Sequence, residues 1–397
     1  MGRWLSVFRY GSYAPAFTCI SVKDYANKQK KFDIRAWQSV KDNKNFGISL
    51  VFITFAPNYV PILIMTSKIL ITGASGFIGS FIVAEALERG MEVWAAVRRT
   101  SSRKYLTDNR INFIELDFAS KERLMEQLGG MKFDYVVHAA GVTKCIDEAD
   151  FRRMNTDGTR NLVDALIGLQ MPLRRFVFIS SLSVYGAVHE SQPYQDITEN
   201  DCPHPNTAYG RSKLEAERYL DSIGNDFPYI ILRPTGVYGP RERDYFLMAE
   251  SIKRHVDFAV GFRRQDITFV YVLDVVQAVF LALDHGMSGR KYFLSDGEVY
   301  SSTDFSDLLK KEMGVGWVLR IVAPIWVLRI VTYFGEKLGR ATRKPIALNN
   351  DKYNILRQRN WRCDIEPAMD ELGYHPHYKL GDGVRLAVEW YKANGWL

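Results

Sequence analysis

The residues most suggestive of chemistry are Tyr209 and Lys213, four positions apart at the start of a predicted helix. Residues with this spacing share one helix face, which brings a phenol and an amine together. An isolated phenol titrates near ~10, and a nearby ammonium favours the ionised form and lowers that pKa. Ser181, which follows a predicted strand over 176–179, adds a hydroxyl able to hydrogen-bond a substrate oxygen. Together these groups predict proton transfer at an alcohol or carbonyl oxygen.

These side chains need a scaffold, and it begins near Lys68. A short apolar strand over 67–71 runs into a glycine-rich turn and then into an amphipathic helix through Arg89. Such a turn presents backbone N–H groups and the positive end of a helix dipole to a pyrophosphate, and each glycine removes an obstructing side chain. The predicted cofactor contacts here are Gly73, Ser75, Gly76, Phe77, Ile78 and Gly79. A Tyr-x-x-x-Lys pair alone is usually a solvated helix face, but chance explains it poorly when this turn and Ser181 precede it.

The strand predicted over 92–97 ends at Arg98 and Arg99. A dinucleotide fold that prefers NAD usually has an acidic residue there, on the ribose 2′-hydroxyl. An arginine instead binds a 2′-phosphate in bidentate geometry. Arg98 therefore predicts NADP, with NAD as the alternative. The simpler interpretation is that both arginines only solvate a strand end.

Two further strands carry the remaining predicted cofactor contacts. These are Asp117 and Phe118 after the strand 111–116, and Ala139, Ala140 and Gly141 after the strand 135–138. Small residues let the backbone approach the cofactor, and Asp117 can accept a hydrogen bond from an adenine amino group. His138 ends a buried strand and is predicted to be a packed histidine rather than a base.

Short apolar runs alternate with helical periods from Lys68 onward, which is typical of parallel βαβ units. The predicted fold is α/β, a Rossmann-type doubly wound parallel sheet with a smaller C-terminal substrate lobe. We expect a leader over 1–64, a dinucleotide-binding domain over 65–240, and a region over 241–397 that mainly covers the substrate, with some segments returning to the core. The four cysteines are far apart and signal neither a zinc knuckle nor a disulfide framework, so we expect a reducing, cytoplasmic location.

From about Lys68 to the C-terminus, the sequence resembles the extended short-chain dehydrogenase/reductase family, often labelled NAD-dependent epimerase/dehydratase. The segments 233–240 (RPTGVYGP) and 269–274 (FVYVLD) add to the resemblance. It implies that Tyr209 is the general acid/base, that Lys213 binds the nicotinamide ribose and tunes Tyr209, and that Ser181 orients the substrate. It also implies that Asn155 supports the lysine through water. Members of the family commonly form homodimers through paired helices.

Two departures from the family pattern narrow the chemistry. Sugar dehydratases follow the hydroxyl residue with Asp-Glu, whereas Leu182 and Ser183 stand here, so no acid is placed to assist loss of water. Nucleotide-sugar epimerases usually carry an arginine two residues before the aromatic position matched by Phe269, and this chain has Ile267. The prediction is hydride transfer between NADP(H) and a secondary alcohol or carbonyl of a small-molecule substrate. The alternatives are a nucleotide-sugar epimerase and a non-enzymatic sensor or scaffold.

The net charge of +7 does not predict nucleic-acid binding. Residues 1–64 hold nine Lys/Arg against three Asp, so the remaining 333 residues carry only +1. An apolar run over 48–64 contains Pro57 and Pro61 and is a poor membrane-spanning helix. We expect the leader to be an upstream extension of the native start at Met65, or a poorly ordered tail.

A second apolar stretch runs from Trp317 to Phe334. Its composition resembles the branch that contains dihydroflavonol reductases, hydroxysteroid dehydrogenases and hopanoid-associated proteins, whose substrates are apolar. We expect two short helices that pack this stripe into the core of the substrate lobe. Contact with a membrane is the alternative, and it is not favoured here.

Overall fold

The computed structural model describes residues 4–7, 18–21, 48–55, 58–342 and 349–397. Near the N-terminus, strand β1 (Trp4–Val7) pairs antiparallel with β2 (Thr18–Ser21), and β3 (Ile48–Phe55) pairs antiparallel with β4 (Asn58–Met65). The rest of the predicted leader lies outside the described residues. Within the described part of the chain, no helix has both the length and the apolarity needed to cross a membrane.

From Lys68 onward the chain forms further strands and helices. The strands are β5 (Lys68–Thr72), β6 (Glu92–Val97), β7 (Asn112–Glu115), β8 (Tyr135–His138), β9 (Arg175–Ile179), β10 (Tyr229–Pro234), β11 (Gly236–Tyr238), β12 (Val256–Val260), β13 (Phe269–Tyr271), β14 (Lys291–Leu294) and β15 (Leu319–Ala323). The α-helices are α1 (Phe77–Glu88), α2 (Lys121–Leu128), α3 (Glu148–Phe151), α4 (Gly158–Gly168), α5 (Ala208–Ile223), α6 (Asp244–Lys253), α7 (Val272–His285), α8 (Asp304–Met313), α9 (Ile325–Thr342), α10 (Asn350–Arg357), α11 (Glu366–Leu372) and α12 (Leu380–Ala393). A π-helical turn, Arg152–Asp157, joins α3 to α4.

Seven of these strands form one parallel sheet in the order β14-β10-β9-β8-β5-β6-β7. Its central strands are nearly continuous runs of fully buried aliphatic residues, as expected where helices cover both faces. The strand order reverses between β5 and β8. In open α/β sheets, ligands bind at this switch point, outside the carboxyl ends of the strands.

The predicted α/β fold is confirmed. The first four strands predicted from residue 67 onward are also confirmed, and they correspond to β5, β6, β7 and β8. The strand predicted over 92–97 has the bounds of β6, and that over 135–138 has the bounds of β8. Asn155 lies in the π-helical turn that precedes α4. The last sheet strand, β14, comes from the C-terminal region, so segments of that region do return to the core.

The C-terminal region contains two small parallel pairs, β11 with β13 and β12 with β15. The expectation for Trp317 to Phe334 was wrong on two counts. The stretch forms strand β15 and helix α9 rather than two short helices, and much of its apolar surface is exposed. The side of these elements that faces the protein includes polar and small residues.

Candidate functional site

The glycine turn lies at the switch point, between β5 and α1. Gly73 has a φ of +67°, and a Cβ there would lie 2.6 Å from the carbonyl oxygen of Ala139. A Cβ on Gly79 would lie 2.1 Å from the carbonyl oxygen of Gly73. Gly76 is the N-cap of α1, where no side chain caps the first turn. Larger residues would therefore break the tight packing of turn, helix and neighbouring loop.

The loop after β8 forms the opposite wall of the turn. The amide of Ala140 donates to Oγ1 of Thr72 at 3.3 Å. A Cβ on Gly141 would lie 3.1 Å from Oδ1 of Asn155 and 3.2 Å from Nζ of Lys213. Gly141 therefore joins the predicted cofactor region to the predicted catalytic residues.

Ser181 and Tyr209 meet because helix α5 packs closely on the turn that follows β9. Thr207 caps the helix by accepting from the amide of Gly210 at 2.9 Å. A Cβ on Gly210 would lie 2.3 Å from the carbonyl oxygen of Ser183, so only glycine permits this approach. The hydroxyl of Ser181 lies near enough to the phenol of Tyr209 to lower its pKa, and it hydrogen-bonds to Oγ and the amide of Ser183, each at 3.2 Å.

Burial raises the pKa of Tyr209 to about 12, and the nearby hydroxyl of Ser181 opposes this shift. We expected Lys213 to lower the pKa of Tyr209. That expectation is not confirmed, because among the described residues the group that lowers this pKa is Ser181. The phenol therefore holds its proton at neutral pH.

Lys213 is buried one turn further along α5. Its Nζ donates to the carbonyl oxygen of Ile179 at 2.9 Å and lies 4.6 Å from the ring centroid of Phe178. Burial lowers the pKa of Lys213 to about 8, and the nearby charge of Glu217 opposes that shift.

Asn155 is fully buried in the π-helical turn. Its side chain accepts from the amide of Val142 at 2.8 Å and donates to the carbonyl of the same residue at 3.0 Å. It also donates to Oγ of Ser212 at 3.0 Å. Asn155 therefore ties the loop after β8 to helix α5, next to Lys213. Irregular π turns of this kind are frequent at functional sites.

A buried network of charged and polar side chains, not predicted from the sequence, lies beneath Lys213. Glu217 and Arg233 form an ion pair, with Nη2 of Arg233 2.6 Å from Oε2 of Glu217, and both side chains are almost inaccessible to solvent. Glu217 also accepts from Ser180, and Arg233 donates to the hydroxyl of Tyr185 at 3.0 Å. The signal was present in the sequence, because Glu217 continues the four-residue spacing of Tyr209 and Lys213.

Asp351, which was also not predicted from the sequence, holds the start of helix α5. Its carboxylate oxygens accept from the amides of Ala208 at 2.9 Å and Tyr209 at 3.1 Å. A carboxylate at this position also complements the helix dipole. Asp351 lies 142 residues from Tyr209 in the chain, so no local pattern could have revealed the contact.

The residues predicted to hold the adenosine half lie at the ends of β6 and β7. Arg98 and Arg99 are exposed. Asp117 pairs with Arg123 at 2.6 Å and accepts from the amide of Ala119, and these contacts lower its pKa. Phe118 is partly buried, with its ring 5.9 Å from that of His138.

His138 is a packed structural residue, as predicted. Its Nδ1 lies 2.7 Å from Oγ1 of Thr72 and its Nε2 lies 3.0 Å from Oγ1 of Thr159. Burial lowers its pKa to about 3, so the ring stays neutral.

Arg241 lies against the first turns of helix α1. Its guanidinium stacks on the rings of Phe81 and Tyr105 and donates to Oγ of Ser80 at 2.8 Å. Its backbone has a φ of +74°, in the left-handed region that non-glycine residues seldom adopt. Its buried Nε has no hydrogen-bond partner among the described residues, which leaves a cationic donor available beside the turn.

These features fit a bound dinucleotide. The glycines form a cradle that any Cβ would fill, and the uncapped start of α1 offers amides to an anion. Arg241 adds a positive charge with an unpaired donor. Among the described residues, no group of three or more His, Cys, Asp or Glu is arranged to hold a metal ion.

Comparison with known proteins assigns the family. Residues 69–295 match the model of the NAD dependent epimerase/dehydratase family, more than half of the chain. The chain belongs to this family, whose enzymes typically use NAD(P).

Individual relatives differ in activity. The chain is 26% identical to a putative UDP-glucose 4-epimerase of Methanocaldococcus jannaschii, over 82% of this chain and 99% of that protein. It is equally similar to the uncharacterized YbjS of Escherichia coli, at 26% over 83% of this chain and 98% of that protein. A 3-beta-hydroxysteroid dehydrogenase of Mycolicibacterium neoaurum is 27% identical, over 60% of this chain and 68% of that protein.

Solved structures agree on the fold. A UDP-glucose 4-epimerase of Thermotoga maritima, crystallised with UDP-glucose, superposes with a TM-score of 0.66 at 24% identity, over 82% of this chain and 99% of that one. DesIV, a dTDP-glucose 4,6-dehydratase of Streptomyces venezuelae with NAD bound, gives 0.67 at 22% identity, over 83% of this chain and 98% of that one.

Proposed function

We propose that this protein is an NADP(H)-dependent oxidoreductase that interconverts a secondary alcohol and a carbonyl on a small molecule. The observation that carries the proposal is the close packing of the start of α5, with Tyr209 and buried Lys213, on the turn that holds Ser181, together with Gly141, which joins Lys213 to the loop beside the glycine turn. An acid, an orienting hydroxyl and a dinucleotide cradle are the groups that hydride transfer to a carbonyl requires.

Tyr209 moves the proton. Because its pKa is about 12, the phenol is protonated at neutral pH and is set to donate to a carbonyl oxygen as that oxygen gains charge. This protonation state favours the reduction direction. In this proposal a substrate oxygen is held between the hydroxyls of Ser181 and Tyr209. Lys213 supplies a positive charge in a low-dielectric setting, where it stabilises developing negative charge strongly.

The turn at Gly73, Gly76 and Gly79 would hold the pyrophosphate of the dinucleotide, with Arg241 as a further anion ligand. When bound, NADP(H) supplies or accepts the hydride. Arg98 is exposed at the end of β6, where its guanidinium is free to reach a 2′-phosphate. Arg98→Ala should weaken NADP binding about tenfold and leave NAD binding nearly unchanged. Equal losses for both cofactors would remove Arg98 as the selector.

Dehydration is disfavoured at this site. The residues after Ser181 are Leu182, which is buried, and Ser183, whose hydroxyl contacts Oγ of Ser181 at 3.2 Å. Neither can protonate a leaving hydroxyl.

Nucleotide-sugar epimerisation is the second candidate. It is favoured by the relatives and structures named as UDP-glucose 4-epimerases, and Arg241 is a cation that could face a diphosphate. One feature counts against epimerisation. Two residues before Phe269, where such epimerases usually carry an arginine, this chain has Ile267, which packs among apolar residues. In an epimerase the ketone stays bound and is reduced from its other face, so no cofactor is consumed.

One assay separates the candidates. Purified protein is incubated with NADPH and a panel of ketones, and with NADP and the corresponding alcohols, while cofactor absorbance is followed. A net change in cofactor that Tyr209→Phe abolishes supports the oxidoreductase. Epimer formation from a UDP-sugar without net cofactor change would overturn it in favour of the second candidate. Absence of both reactions, with NADP(H) still bound, would instead support a sensor or scaffold.

Two further properties belong to the same proposal. We place the enzyme in the reducing cytoplasm, consistent with the free Cys145, Cys202 and Cys363 among the described residues. We also propose a homodimer formed through helices α4 and α5. Light scattering on the purified protein tests the dimer.

A further inference from the structure

The two-stranded sheet formed by β12 and β15 has its polar side turned inward. Asp257 is almost fully buried, and its carboxylate pairs with Nε of Arg320 at 2.7 Å and accepts from Ser306 at 3.0 Å. Since side chains alternate along a strand, the residues on either side of Asp257 and Arg320 point the other way. Phe258, Leu319 and Ile321 consequently face solvent, with 64%, 59% and 41% of their surface exposed.

Helix α9 likewise turns an apolar side toward solvent. Leu328, Thr332 and Gly339 face the protein. Trp326, Ile330 and Phe334, spaced four residues apart, are 66%, 48% and 63% exposed. We call Phe258, Leu319, Ile321, Trp326, Ile330 and Phe334 the apolar face.

The sheet and helix parts of this face are continuous. Strand β15 leads into α9 through Pro324, whose carbonyl accepts the amide of Val327 at 3.0 Å. At the end of β12, a Cβ on Gly261 would lie 3.4 Å from the side chain of Ile325. Exposed apolar surfaces of this kind mark contact sites rather than ordinary solvated surface.

The charges around the apolar face are predominantly basic. The segments 253–264 and 317–342 contain eight Lys/Arg and two Asp/Glu, a net +6, whereas residues 65–397 as a whole carry +1. Arg329, Tyr333 and Lys337 form a second four-residue stripe beside the apolar one, and all three are exposed. Nζ of Lys337 lies 4.7 Å from the ring centroid of Tyr333.

We propose that the apolar face docks in the surface of an anionic lipid bilayer, with α9 lying in the plane of the interface. A helix that combines an apolar stripe, interfacial aromatics and a flanking basic stripe has the properties of membrane-surface helices. Acidic headgroups complement the basic stripe, at about 1 kcal/mol per Lys or Arg near the surface. Docking of this kind is peripheral and needs no membrane-spanning helix.

Charge disfavours the two other candidate occupants. In a twofold pairing of two copies through this face, Arg329 and Lys337 would approach the basic stripe of the partner. The segment 1–64 of the same chain has a net charge of +6, so it would also bring like charges together.

Flotation of the full chain with vesicles tests the proposal. We expect binding to vesicles of equal parts phosphatidylcholine and phosphatidylglycerol, and much weaker binding to phosphatidylcholine alone. The double variant Trp326→Ser/Phe334→Ser should weaken binding at least about tenfold, because two aromatic side chains lose their contact with lipid. Arg329→Glu/Lys337→Glu should produce a similar loss, greatest at low salt.

A matched control is Leu273→Ser/Met287→Ser, which replaces two side chains that are 37% and 55% exposed outside the apolar face. This variant should float as the wild type does. Brominated lipids should quench tryptophan fluorescence, and Trp326→Phe should reduce the quenching while retaining flotation.

Three results would overturn the proposal: no flotation with anionic vesicles, equal loss in the control variant, or binding that Arg329→Glu/Lys337→Glu leaves unchanged at low salt. A concentration-dependent dimer that Trp326→Ser/Phe334→Ser dissociates, without vesicle binding, would assign the face to a second copy instead. None of these measurements requires turnover, so their failure leaves the proposed oxidoreductase activity untouched.

Discussion

The protein buries a carboxylate–arginine pair in two places, with opposite consequences for the surface above. Beneath helix α5, Glu217 and Arg233 are enclosed, and both side chains are at most 3% exposed. At the edge of the C-terminal lobe, Asp257 is equally buried, but the side chain of Arg320 is 32% exposed.

The difference lies in what surrounds each pair. Glu217 and Arg233 lie between helix α5 and the central sheet, so the pair supports Lys213 from below. Asp257 and Arg320 occupy the inner side of a two-stranded sheet, so their neighbours are forced outward. A buried pair can therefore support the proposed reaction site in one setting and expose an apolar face in another.

The largest expected difference between the two regions is an effect on kcat, caused by a substitution at Tyr209. Tyr209→Phe removes the proton donor and should lower kcat by about 10²–10⁴-fold. Cofactor binding, measured by fluorescence titration with NADPH, should change little, because the dinucleotide cradle is formed by other residues. If this variant turned over at the wild-type rate, the assignment of Tyr209 as the proton donor would be contradicted.

Breaking the two ion pairs compares the regions directly. Glu217→Gln leaves Arg233 buried without its counter-charge and should cost about 3–5 kcal/mol of unfolding free energy. Asp257→Asn should cost only about 1–2 kcal/mol, because Arg320 keeps solvent contact and a second partner in Asp307. Urea denaturation of both variants measures this difference. Equal losses would mean that the two pairs are equivalent, and the comparison would fail.

The glycine turn should show a sharp dependence on side-chain size. Gly79→Ala places a methyl group within the van der Waals radius of the Gly73 carbonyl oxygen and should weaken NADPH binding about a hundredfold. Gly316→Ala is the control, because a Cβ there meets nothing within 4 Å. Calorimetric titration gives both affinities, and tight binding by Gly79→Ala would exclude this turn as the cradle.

The smallest expected effect is a shift in pH dependence. The pKa of Lys213 is about 8, below its ordinary value, so the ammonium is lost as the pH rises through about 8 and activity should fall above that pH. Glu217 raises this pKa, so Glu217→Gln should move the falling limb to lower pH, by about one unit. The pH profile of kcat/KM measures the limb in both proteins. An unchanged limb would show that Lys213 and Glu217 are not coupled.

The strands and the glycine turn of the N-terminal half could be predicted from the sequence because their signals are local. Strands such as 135–138 are short apolar runs. Glycines at a strand–helix junction commonly form a turn that binds a pyrophosphate. Glu217 was recoverable from its spacing to Lys213, although the partner Arg233 was not. The cap at Asp351 depends on a contact between distant segments, which no local pattern encodes.

The exposure of α9 could not be predicted from sequence periodicity, for a physical reason. Periodicity identifies the apolar stripe of Trp326, Ile330 and Phe334, but it does not say whether that stripe meets protein or solvent. The side facing the protein is decided by small and polar residues such as Thr332 and Gly339. Their fit against the rest of the lobe is visible only in the structure.

Isotope transfer tests the central claim most directly. NADPH deuterated at the hydride position of its nicotinamide ring is incubated with the enzyme and a ketone mixture, and the products are analysed by mass spectrometry. The account predicts deuterium on the carbinol carbon of a product, absent when Tyr209→Phe replaces the wild type. If the wild type forms no labelled product from any ketone or sugar substrate while binding NADPH tightly, the claim that Tyr209, Ser181 and Lys213 form a hydride-transfer site is contradicted.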